Sequence, residues 1–268
     1  MSVEVYSGQV YTRITKEDIP AILSEAAALL AAHTSAAVVS TEDDRVDGEG
    51  TFRILIHGGG GRYFCLQYVY PETYGSVEVS VARGYLEGGA FVASQSVSDH
   101  HIGNGADSYT KGASLTVVNG GAVWDLKIKL GRYYAPSLNN PSFHLRCAEL
   151  ASDPGGAKLY AGGVFCCEGD DASPAFPGVD YTVLGGTEYA LGWTDPTDAV
   201  YSVPAGKLLL FPSLLTLEVQ NDMGAATVGG KLPYFMAGQA AVPLGAYTEF
   251  LVDRTRYVSL GHLAIRST

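Results

Sequence analysis

Several stretches of this chain carry residue types that could do chemistry. His57-Gly58-Gly59-Gly60 has the form of an oxyanion-hole loop, which aims backbone N–H groups at a developing negative charge. Such a loop serves a serine set in Gly-x-Ser-x-Gly, and no serine here has that setting. The glycines therefore read as the turn of a hairpin. Glu42-Asp43-Asp44-Arg45-Val46-Asp47-Gly48-Glu49 offers oxygen donors before a glycine, as a calcium loop does. Arg45 puts a cation where a ligand belongs, so the stretch reads as a solvated connection between strands. Gly169-Asp170-Asp171 and Asp195-Pro196-Thr197-Asp198 read as acidic turns. Asp99-His100-His101 pairs imidazoles with a carboxylate, a donor set suited to a transition metal. Adjacent histidines rarely reach one ion, and the segment reads as an exposed loop. Gly206-Lys207 and Gly230-Lys231 are both followed by leucine, where a phosphate loop needs Ser or Thr. The residues thus assign no catalytic, cofactor-binding or metal site, and the chain is expected not to be an enzyme.

The elements that would position any site are mostly strands. Glycine occurs 33 times and proline 12 times in 268 residues, cutting the chain into short β-leaning runs. One helix stands out. Thr15-Lys16-Glu17-Asp18 is an Asp variant of the capping box, and Pro20 lies in the first turn, where its missing N–H costs little. Ile19, Ile22, Leu23, Ala26, Leu29 and Leu30 follow at helical spacing, up to His33-Thr34. The spacing predicts a helix that packs one apolar stripe on a sheet.

Strands are expected at 36–40, 52–57, 62–70 and 76–86. Val77, Val79 and Val81 alternate there with Glu78, Ser80 and Ala82. Residues 99–113 are polar and glycine-rich and read as a loop. A hairpin around Asn119-Gly120-Gly121 joins 115–118 to 123–130, with Trp124, Leu126, Ile128 and Leu130 on one face. A strand follows at 143–150. Residues 131–142 read as a crossover or link. The composition then shifts toward Gly, Pro and Ala, with strands expected at 160–167, 181–184, 188–193, 207–211, 214–219, 232–235, 248–253 and 257–266. Spacing of about ten residues with turn signals suggests a sandwich or barrel. The predicted fold is mainly β, antiparallel and sandwich- or barrel-like, with one N-terminal amphipathic helix. Two β-rich domains are expected, 1–135 and 136–268.

Composition narrows the function classes. The chain holds 17 Lys and Arg against 28 Asp and Glu, a net charge of −11, which repels phosphate backbones and argues against direct nucleic-acid binding. Met1-Ser2-Val3-Glu4 lacks the basic and apolar regions of a signal peptide, and no run approaches the ~20 apolar residues of a membrane span. Synthesis in a cytosol-like compartment is expected, without membrane insertion. Cys65, Cys147, Cys166 and Cys167 form no Cys-x-x-Cys pair and read as buried thiols.

The last sixty residues carry a family signal. Gly206-Lys-Leu-Leu-Leu-Phe-Pro-Ser-Leu214 is followed by Val228-Gly-Gly-Lys-Leu-Pro-Tyr-Phe-Met-Ala-Gly238. Then comes Arg254-Thr-Arg-Tyr-Val-Ser-Leu-Gly-His-Leu-Ala-Ile-Arg266. An apolar strand, a Gly-Lys-Leu-Pro-aromatic segment and a terminal Tyr-x-x-Leu-Gly-x-Leu-Ala-Ile-Arg strand resemble virion structural proteins of tailed bacteriophages, in tail, baseplate and neck-region components. The resemblance covers roughly a quarter of the chain. It implies a homo-oligomeric, ring- or collar-forming subunit located in the virion, with other phage virion proteins as partners and no catalysis. A second reading is a receptor- or glycan-binding tail module, with Tyr133, Tyr134, Trp193 and Tyr201 near loops where they can stack on sugars. A third, a depolymerase-like hydrolase, lacks a recognisable motif.

Overall fold

A computed structural model describes residues 3–59, 61–70, 77–101, 112–121, 123–130, 141–149, 160–168, 180–184, 187–193, 208–219, 227–240, 249–252, 254–259 and 263–267. Its elements are strands apart from one helix and the short 3-10 turn before it. β1 (Glu4–Ser7) leads to the helix α1 (Ile19–His33) and then to β2 (Ala37–Asp43), β3 (Gly50–Gly59), β4 (Arg62–Tyr70), β5 (Val77–Glu87) and β6 (Ala90–His101). Next come β7 (Ala113–Asn119), β8 (Val123–Leu130), β9 (Pro141–Glu149) and β10 (Tyr160–Glu168). β11 (Asp180–Leu184), β12 (Thr187–Trp193), β13 (Leu208–Val219), β14 (Thr227–Ala240), β15 (Glu249–Val252), β16 (Thr255–Ser259) and β17 (Leu263–Ser267) complete the chain.

The strands form three antiparallel sheets. Two are five-stranded, in the orders β2-β3-β4-β5-β6 and β1-β7-β8-β9-β10, and the third is seven-stranded, β11-β12-β13-β14-β17-β16-β15. The first two pack face to face as a sandwich. Alternation decides which side chains fill it, because successive residues of a strand point to opposite faces. Phe52, Ile54 and Ile56 of β3, Phe64, Leu66 and Tyr68 of β4, and Val77, Val79 and Val81 of β5 are buried from one side. Trp124, Leu126, Ile128 and Leu130 of β8 with Phe143 and Leu145 of β9 meet them from the other. Phe64 and Trp124 touch edge to face with ring centroids 5.2 Å apart. Each large apolar side chain buried here contributes about 1.5–3 kcal/mol.

The helix joins the β1 edge of one sheet to the β2 edge of the other. It lies against β2, β3 and β4 on one side and β7 and β8 on the other, while β10 runs beside β5 and β6 at the far side. A helix is about 10–12 Å wide, so the sheets open where it enters and close where β10 meets β6. The expected stripe faces both sheets rather than one, with Ile19, Ile22, Leu23, Ala26, Ala27 and Leu30 all buried. The capping pair forms as expected: the Asp18 carboxylate accepts from the Thr15 N–H at 2.7 Å and the Thr15 hydroxyl at 2.9 Å. At the other end the Asn119 side-chain amide donates to the His33 carbonyl at 2.5 Å, and the His33 ring stacks on Tyr6 with centroids 3.7 Å apart. One of the orphan carbonyls that end any helix is thereby satisfied by the β7–β8 turn. Midway, Glu25 accepts from the Gln9 N–H at 2.8 Å and from the Tyr11 hydroxyl, which pushes the Tyr11 pKa up to about 12.

The sheet of β1 and β7–β10 continues across residues 135/136, where composition places a domain division: β9 pairs with β8, and β10 with β9. Glycine and proline content follows the connections, whereas sheet membership follows hydrogen-bonded pairing. The segment 131–140 lies outside the described residues.

Candidate functional site

Among the described residues, the segments that resemble catalytic or metal motifs are absorbed by strand pairing; Gly169-Asp170-Asp171, Asp195-Pro196-Thr197-Asp198 and Gly206-Lys207 lie outside those residues. Gly58 lies inside β3, and a Cβ there would sit 2.5 Å from Phe64 Cε2 and 3.1 Å from Trp124 Cζ2. Its carbonyl accepts from Cys147 Sγ at 3.4 Å. This glycine makes room for the aromatic pair, and the β3–β4 turn follows it. The acidic stretch after β2 is a tight hairpin. Asp47 and Gly48 hold φ values of 54° and 84°, the left-handed pair that an Asp-Gly turn requires. Arg45 clasps both Asp43 oxygens at 2.7 Å, lowering the Asp43 pKa, and Asp44 accepts from the Thr51 N–H at 2.5 Å. Asp43 and Asp44 are thus held by the hairpin itself.

Asp99, His100 and His101 belong to β6, opposite Val79, Glu78 and Val77, so the loop expected from 99 is strand up to residue 101. Pairing with β5 outweighs the polar composition there. Gly230-Lys231 sits mid-strand in β14 opposite Leu215 and Leu214, unlike a phosphate loop, which runs into a helix. Residues 133, 134 and 201 lie outside the described residues, as does the side chain of Trp193. No group of three metal-binding side chains occurs among the described residues, and no described helix is long and apolar enough to cross a membrane.

Two features emerge that the sequence reading missed. The first is a buried ionic cluster on the face of β8 and β9 turned away from the sandwich core. Asp125 pairs in register with Arg146, and Lys127 with His144. Arg146 Nε donates to Asp125 Oδ1 at 2.8 Å, and His144 Nδ1 lies 3.3 Å from Asp125 Oδ2. Asp125 and Arg146 are 0% exposed, His144 4% and Lys127 7%. Burial lowers the His144 pKa against the pull of Asp125, which keeps the imidazole neutral. Ser142 shares this face, and its buried Oγ meets no hydrogen-bond partner among the described residues. Serine, histidine and aspartate are therefore neighbours, but the hydroxyl is not bonded to the imidazole and no side chain in the cluster opens to solvent. A nucleophile–base pair requires both. Asp125-x-Lys127 and His144-x-Arg146 alternate with apolar residues on consecutive strands, and the register is what sets Asp125 opposite Arg146.

Two thiols have described side chains. Cys65 and Cys147 are both buried, and burial pushes the Cys65 pKa to about 11. Cys166 and Cys167 lie in β10, and their side chains are outside the described residues.

The second feature is the β2 edge. β2 ends its sheet, and no described strand pairs with its outer side. Six of its seven residues are exposed, although the helix lies beside it. Val38 and Val39 are 41% and 50% exposed. The strand contains neither lysine nor proline, the usual guards of an open edge. Its ladder shifts register between Val38 and Ser40, a bulge that twists the strand without covering it. No family model, curated protein or solved structure matches the chain.

Proposed function

We propose that this protein is a structural subunit of a tailed-phage virion, in the tail, baseplate or neck region, and that it works by assembly rather than catalysis. The observation that carries this reading is β2, an edge strand with exposed valines and no described strand on its outer side. Such an edge offers a row of unpaired N–H and C=O groups to a strand of a neighbouring subunit, in a homo-oligomeric ring or from another virion protein. The −11 net charge is consistent with a partner other than nucleic acid. The terminal strands that resemble phage structural proteins fall in β13, β14, β16 and β17 of one sheet.

The test is the mass of the full chain in solution by light scattering over a wide concentration range, with imaging of purified virions. Oligomers in the natural chain and monomers in Val39→Lys support the reading. A strictly monomeric protein that is absent from the particle would overturn it.

A further inference from the structure

The outer face of the β2–β6 sheet holds a trough of about 770 Å³. The strand register explains its form. Glu42, Arg53, Gln67, Ser80 and Ser98 stand opposite one another in turn, so one polar row crosses all five strands. The parallel row beside it runs Ser40, Leu55, Cys65, Ala82 and Ser96, and its mostly small side chains sink the floor. A wall comes from the β5–β6 hairpin. Its ladder shifts between Arg83 and Gly84, and a Cβ on Gly84 would lie 1.9 Å from the Val92 carbonyl oxygen. Only glycine permits that close crossing, beyond which the hairpin tip, with Leu86 and Phe91, lines the same trough.

We propose that this trough binds a neutral oligosaccharide chain lying across the strands. The volume falls within the ~300–1,000 Å³ of ligand sites. Its polar groups suit hydroxyls that both donate and accept: a guanidinium, an amide, serine hydroxyls, and the carboxylates of Glu42 and Glu78. Two carboxylates against one guanidinium give no field that would draw an anion. Arg53 also links three residues of the row. Arg53 Nε donates to Gln67 Oε1 at 3.1 Å, and Arg53 Nη1 lies 3.4 Å from Glu42 Oε2. Neighbouring strands are about 4.8 Å apart, close to the length of one pyranose in a chain, so successive rings meet successive row residues. Phe91 and Leu86 supply an apolar wall for the C–H face of a ring. An extended peptide suits the trough less well, because peptides add to a sheet at an open edge and the backbone of this floor is already paired.

The inference stands apart from the assembly reading, since a monomer would carry the same trough. It is tested by screening the full chain on an array of bacterial surface oligosaccharides, then by calorimetry with the strongest neutral binder and its monosaccharide. Binding of the oligosaccharide is expected at least tenfold tighter than the monosaccharide. Gln67→Ala should weaken it about tenfold, and Ser96→Trp, which adds bulk at an exposed floor position, should abolish it. An unchanged thermal midpoint in both variants keeps folding out of the readout. Three results would overturn the proposal: no neutral oligosaccharide bound, binding indifferent to both substitutions, or a Ser96→Trp chain whose sugar-free self-association is lost, which would mean that a second copy fills the trough.

Discussion

Strands β5 and β8 carry the same alternation and meet opposite surroundings. In β5, Val77, Val79 and Val81 enter the core, while Glu78, Ser80 and Ala82 stay half-exposed on the trough face. In β8, Trp124, Leu126 and Ile128 enter the same core, yet Asp125 and Lys127 behind them are buried too. Alternation identifies the face that is apolar. It does not say whether the other face is wet. Where that face is closed, its charges must pair with one another, and the register that places Asp125 opposite Arg146 does this.

The contrast breaks most sharply at Asp125. Asp125→Ala leaves Arg146 buried beside a lost carboxylate, and the expected loss is about 3–5 kcal/mol in urea unfolding. A loss below about 1 kcal/mol would mean that water reaches this face and that the two sheets are alike. Gly58→Ala probes the core that both sheets share. Its Cβ would press on Phe64 and Trp124, and overpacking of this kind costs about 1–3 kcal/mol. The same denaturation series measures it, and a neutral result would show that the aromatic pair can shift.

Mild acid should act on the closed sheet through His144, above the range where carboxylates such as Asp43 titrate. His144 is buried with its pKa lowered from the ordinary 6.5. The unfolded chain takes up a proton near that value, whereas the folded chain resists until lower pH. Its contribution is therefore intact above about 6.5 and is lost as pH falls below it, at up to ~1.4 kcal/mol per pH unit for one proton. His144→Gln should flatten this part of the stability–pH curve. An identical slope in the variant would remove His144 as its source.

Much of the fold was legible because periodicity and turn chemistry are local. The Thr15–Asp18 cap, the α1 stripe, the β3–β4 glycine turn and the β7–β8 hairpin follow from neighbours in sequence. In the C-terminal sheet, expected strands at 207–211 and 214–219 are one strand, β13, whose register shifts between Pro212 and Leu214. A proline cannot donate to the ladder, so it bends a strand as readily as it ends one. The run expected at 257–266 is two strands, β16 and β17, paired with each other. β1 and β6 went unseen. β1 has four residues and is fixed by its partner β7; β6 is rich in serine and is fixed by its pairing with β5. The ionic cluster and the trough were hidden for the same reason. Both are rows across strands, and a row exists only once register is known.

The smallest effect sharpens the comparison from the wet side. Glu42 and Arg53 also form an ion pair in register between adjacent strands, at 3.4 Å, but their side chains are 65% and 43% exposed. Water screens that attraction, and holding two long side chains in place opposes it. Glu42→Ala should therefore change stability by about 0.2–1 kcal/mol, and less in high salt. The same cross-strand geometry would then differ several-fold in effect between Glu42 and Asp125. Urea unfolding of both variants at low and high salt measures the ratio. Equal losses would mean that register alone, and not the closing of one face, sets the strength of these pairs.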